Sequence, residues 1–74
     1  MEFDDRSTEE LIRLAAAGAS FTISGTHRAF DDILRIATAA KMGSARICLT
    51  DLGDGDFDTL LRIAAAGPGV VDFR

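Results

Sequence analysis

The octapeptide Leu11-Ile12-Arg13-Leu14-Ala15-Ala16-Ala17-Gly18 returns almost unchanged as Leu60-Leu61-Arg62-Ile63-Ala64-Ala65-Ala66-Gly67. A third version, Ile33-Leu34-Arg35-Ile36-Ala37-Thr38-Ala39-Ala40, lies between them. Recurrence of this kind means one supersecondary unit used repeatedly, with neighbouring copies burying what each cannot bury alone. Two copies are also preceded by the same pair, Phe30-Asp31 and Phe57-Asp58. This repeat limits the fold more than any other feature of the chain.

Within each octapeptide, Leu, Ile and Ala recur at the spacing of one helical stripe, and Ala and Leu are strong helix formers. Ser7 followed by Glu10 is a capping box, so the first helix opens there. Thr26 or His27 is expected to open the second helix, and Asp54 or Asp56 the third. The acids that follow (Glu9, Asp31, Asp32, Asp58) occupy first turns, where the helix dipole favours negative charge. Gly18 and Gly67 are the expected left-handed residues that end their helices, with Pro68 blocking continuation, and the second helix is expected to run about a turn longer, to Lys41 or Met42, before Gly43 stops it.

After each helix comes a short run rich in β-branched or large apolar residues: 20–24, 45–50 and 70–74. These alternate, so Phe21, Ile23, Ile47, Leu49, Val71 and Phe73 share one strand face. Ser20, Thr22, Ser24, Arg46, Cys48, Thr50, Val70, Asp72 and Arg74 are expected on the other. A helix between consecutive strands requires parallel pairing. The predicted architecture is an α/β two-layer slab, with a three-stranded parallel sheet in the order 1-2-3 and all helices on one face. A single domain spans 1–74, with repeats at about 7–24, 27–50 and 56–74. Alternating helices and strands resemble leucine-rich-repeat horseshoes in architecture, but the L-x-x-L-x-L-x-x-N strand consensus of that family is absent.

Size and composition narrow the function. A chain of 74 residues buries only roughly 60% of its unfolded surface and usually needs a disulfide, a metal or a partner subunit. Cys48 is the single cysteine, which excludes an internal disulfide, and no Cys/His cluster offers a structural metal site. Oligomerisation remains. The net charge of −4 and the scattered basic residues disfavour nucleic acid and anionic membranes, which need clustered Lys and Arg. No apolar run is long enough to span a bilayer, and no secretory signal is evident. One free cysteine and no signal point to a soluble protein of the reducing cytoplasm.

Four motifs invite a chemical reading. Ser24-Gly25-Thr26-His27-Arg28 follows the first strand, where α/β sheets bind ligands, but it lacks a Walker or G-x-G-x-x-G spacing. His27 with Asp31 could form an acid–base pair, yet no nucleophile or cleft accompanies it. The run 51–58 opens like a calcium loop from Asp54, but Thr59 stands at the glycine position and Ala65 at the bidentate glutamate position. Cys48 has no neighbouring cation to activate it. Arg13, Arg35 and Arg62 recur at one repeat position and are expected to pair with the acids one turn earlier in their own helices.

The leading expectation is a non-enzymatic interaction module, without cofactor or metal, that self-associates through its sheet edge or open face. The residues expected at that interface are Thr22, Cys48, Thr50, Val70, Val71, Asp72 and Phe73. A two-fold dimer joining strand 3 to strand 3 is the first geometry, and face-to-face stacking the second. An adaptor or immunity-type inhibitor of another protein is an alternative. Weak ligand or metal binding at the loops after strands 1 and 2 (Thr26, His27, Arg28, Asp51, Asp54) is a further one.

Overall fold

A computed structural model describes residues 6–52 and 56–74. Helix α1 (Thr8–Ala16) leads to strand β1 (Phe21–Ser24), α2 (Phe30–Gly43) to β2 (Ile47–Thr50), and α3 (Phe57–Ala66) to β3 (Val71–Phe73). The strands form one parallel sheet in the order β1-β2-β3. Phe21 stands beside Ile47 and Ile47 beside Val71; Thr22, Cys48 and Asp72 form the next row. The helices cover the face carrying the Phe21 row, as the alternation predicts.

The buried core is centred on the middle repeat. Ile33, Ile36, Ala37, Ala39 and Ala40 of α2 meet Ile47 and Leu49 of β2, with Leu11, Ala15, Phe21 and Ile23 from the first repeat. Burying each such Leu or Ile stabilises the fold by about 1.5–3 kcal/mol. From the third repeat only Ile63 joins the buried cluster, while Ala66, Val70 and Val71 pack against its margin.

Helix α1 starts as its sequence predicts. Ser7 Oγ accepts the Glu10 amide at 3.2 Å, and the Glu10 carboxylate accepts the Ser7 amide at 3.2 Å. Helix α2 starts later than Thr26 or His27: its N-cap is Ala29, which acts through its carbonyl alone. Two side chains explain the delay. The Thr26 hydroxyl is engaged with Ser24, and Arg28 reaches back to donate to Thr8 Oγ1 at 2.9 Å and to the Arg6 carbonyl at 2.6 Å. Asp56 is the N-cap residue of α3, without a side-chain cap bond; Asp54 lies outside the described residues.

Gly18 follows the end of α1 in the left-handed conformation, at φ +96°, and Gly67 ends α3 as its C-cap but without that conformation. Gly43 is the last residue of α2, and Ser44 takes the left-handed position instead, at φ 58°. The reason is proximity: a Cβ on Gly43 would overlap the carbonyl oxygen of Ala15. Gly67 has φ −130° rather than a left-handed value, and a Cβ there would sit 2.8 Å from the Ala37 carbonyl oxygen. Both glycines are contact points between successive repeats.

The arginines depart from expectation in the same direction. Arg35 pairs with Glu9 of α1 at 2.9 Å and with Asp32 of its own helix at 3.6 Å. Arg6, rather than Arg13, pairs with Glu10, at 3.8 Å. Among the described residues, Arg13 and Arg62 make no ion pair. Ion pairing therefore also runs across the seam between α1 and α2, not only along single helices.

Candidate functional site

Three surfaces can be built from the residues upward: the loops at the C-terminal ends of the strands, the open sheet face with its two edges, and the outer side of the helical layer.

At the strand ends, Ser24 sits under the loop rather than on the open face, and only 3% of its surface is exposed. Its hydroxyl donates to Asp51 Oδ2 at 2.9 Å. It accepts the Thr26 amide at 3.3 Å and lies 3.0 Å from Thr26 Oγ1. Thr50 Oγ1 stands 3.2 Å from the same Asp51 oxygen. Asp51 has φ 66°, a left-handed conformation that Asp tolerates better than most residues. The carboxylate and three hydroxyls thus form a clasp joining the end of β1 to the end of β2. No imidazole stands between Ser24 and Asp51, and a buried hydroxyl that already donates to a carboxylate is not poised to attack a substrate.

Arg28 braces the start of α1, as described above, and His27 and Asp31 are both exposed. Asp56 and Asp58 are exposed at the start of α3, and residues 53–55 of the calcium-like run, Asp54 among them, lie outside the described residues. Among the described residues, no group of three Asp, Glu, His or Cys side chains is placed to hold a metal ion. No helix among them is long and apolar enough to cross a membrane.

On the open face, Thr22 is exposed, and Cys48, Thr50 and Asp72 are half-buried; Val70, expected there, instead packs against the core beside Gly67, because it lies in the turn before β3. Arg46 and Asp72 bridge β2 and β3 there at 3.3 Å. Arg46 is exposed and Asp72 only partly covered, so the pair adds only about 0.2–1 kcal/mol, but it makes the face polar.

The edges differ from the face. Ile47 donates to the Val70 carbonyl at 2.7 Å and Arg74 to the Leu49 carbonyl at 2.8 Å. In a parallel ladder the bonding groups alternate. The backbone groups of Val71 and Phe73 therefore turn away from β2, toward the outer edge. Phe73 of β3 is exposed, and in the same repeat so are Phe57 and Leu61 of α3, at 74% and 53%.

On the helical layer, an open groove of about 370 Å³ runs between α1 and α2, lined by Ile12, Leu34, Arg35, Thr38, Ala39 and Met42. Its polar side chains are already engaged: Arg35 with Glu9 and Asp32, and Thr38 with the Leu34 carbonyl at 2.9 Å. Sequence reasoning did not find this groove, because it depends on the distance between two helices and not on either one. The exposure of Phe57 and Leu61 was equally hidden, since their repeat positions look apolar and core-facing. No protein-family model matches the chain, and comparison with curated proteins and with solved structures gives no match either.

Proposed function

We propose that this chain is a non-enzymatic interaction module that self-associates through the outer side of its third repeat. The observation that carries this reading is that the third repeat has, among the described residues, both an unpaired parallel edge at β3 and the exposed apolar side chains of Phe57, Leu61 and Phe73. Edge strands otherwise carry charges, prolines or a covering element, and among the described residues β3 has only Asp72, which is paired with Arg46. The polar open face, with Thr22, Cys48, Thr50 and Asp72, favours edge joining over stacking. The commitment of Ser24, Thr26 and Asp51 to one another supports a non-catalytic reading.

The test is molar mass by light scattering across a concentration series, for the parent chain and for Val71→Pro. Proline at 71 removes an outward-facing amide while leaving the Val70 and Arg74 bonds to β2 in place. A parent that associates and a folded Val71→Pro that does not would support the reading. A parent that stays monomeric at every concentration would overturn it and leave the same surface to a different protein, as an adaptor or inhibitor would use it.

A further inference from the structure

Because the repeats align residue for residue, each exposed position at an end can be compared with its counterparts inside. Ala15, Ala37 and Ala64 are equivalent, as are Ile12, Leu34 and Leu61, and Thr8, Phe30 and Phe57. These positions lie on the flank facing the following repeat: Gly43 abuts the Ala15 carbonyl, and Gly67 the Ala37 carbonyl. In the first two repeats Ala15 and Ala37 are buried, and Ile12, Leu34 and Phe30 are half-covered. In the third, Ala64 is half-buried and Leu61 and Phe57 are largely exposed. The opposite flank shows the converse. Ile36 and Ile63, each with a repeat before it, are buried, whereas their counterpart Leu14 is only half-buried; Ala39 is buried where Ala17 is exposed.

We infer that the occupant of the α3–β3 flank is the α1–β1 flank of a second copy, placed where a fourth repeat would continue the array. This rests on the self-association reading above and specifies its geometry as head-to-tail rather than two-fold. Two further observations favour it. The first is charge. Glu9 of α1 meets Arg35 of α2, and their counterparts at the two ends are Asp58 and Arg13, both exposed and neither in an ion pair among the described residues. A second copy in repeat register brings these opposite charges to one seam. Among the described residues Asp31 and Arg62, the same positions across α2 and α3, form no ion pair, so longer-range attraction rather than a closed contact is expected at the new seam.

The second is strand phase. Val71 and Phe73 are in register with Ile47 and Leu49, the residues through which β2 bonds to β3. Thr22 is in register with Cys48, on the alternate set through which β2 bonds to β1. The outer edge of β3 therefore has the bonding phase that an exposed β1 edge accepts in parallel. Joining β3 to β3 antiparallel instead, with its two outward residues Val71 and Phe73 exchanging bonds, places Asp72 directly opposite Asp72, and like charges so placed are destabilising.

A heterologous seam predicts complementation that a two-fold one cannot produce. Leu61→Glu blocks the α3 flank and Ala17→Arg the α1 flank, and both positions are exposed, so the fold tolerates them. The expected result by light scattering is that each variant alone is monomeric. A one-to-one mixture then forms dimers containing one chain of each, through the unaltered flanks. If Ala17→Arg associates as the parent does while Leu61→Glu does not, the head-to-tail seam is overturned and self-association stands. If the parent itself never associates, both readings fall.

Discussion

Gly43 shows how a single residue can carry a repeat interface. Its backbone is ordinary helix, so its identity is not explained by conformational freedom but by the Ala15 carbonyl, which occupies the space a Cβ would need. Alanine would gain about 1 kcal/mol in helix propensity, yet the obstacle is backbone and α2 would have to move away from α1. Gly43→Ala should therefore be net destabilising by about 1–3 kcal/mol, read as a fall in thermal midpoint of roughly 4–8 °C for each kcal/mol in a domain of this size. An unchanged midpoint would mean that the two helices are free to separate. The same logic explains the Ser24–Asp51 clasp: its groups are 27 residues apart in sequence, and only the parallel register of β1 and β2 brings them together.

At the scale of elements, the three helices are held in different ways. Helix α1 has only nine residues, marginal on its own in water, and its capping box contributes where packing alone is thin. Ser7→Ala should cost about 0.5–2 kcal/mol, measurable as a lower urea midpoint at unchanged slope. Helix α2 is covered on both flanks and supplies most of the helical core, although its cap is only a backbone carbonyl. Among the described residues, helix α3 has neither a side-chain cap nor a packed helix on the flank away from α2. The element with the least local support is thus the one that displays Phe57 and Leu61.

The whole molecule measures 29 × 23 × 19 Å and is an array with two unlike ends. Inside the array each repeat covers the next; at the ends the same positions face water. If that surface is satisfied by another copy, association stabilises the native state by mass action. The thermal midpoint should then rise with chain concentration, by roughly 3–10 °C for each tenfold, followed by scanning calorimetry over a dilution series. A midpoint independent of concentration would sever folding from assembly. The head-to-tail seam also implies that assembly either closes into a ring or continues as a chain.

The order of elements, the parallel sheet and the face that meets the helices were all legible in the chain, because hydrophobic period and helix propensity are local and the octapeptide states them three times. The start of α1 was legible for the same reason: Ser7 and Glu10 carry both halves of their cap within four residues. What the sequence could not determine depends on distances between elements. It did not show that Gly43 and Gly67 serve close approach rather than turning, nor that Arg35 reaches across to α1. The late start of α2 was hidden because Thr26 and Arg28 are drawn to partners elsewhere in the fold. Near-identical octapeptides cannot reveal which copy is left uncovered. Only the tertiary structure decided that, because burial belongs to a residue's neighbours, and among the described residues the third repeat has a neighbour on one side alone.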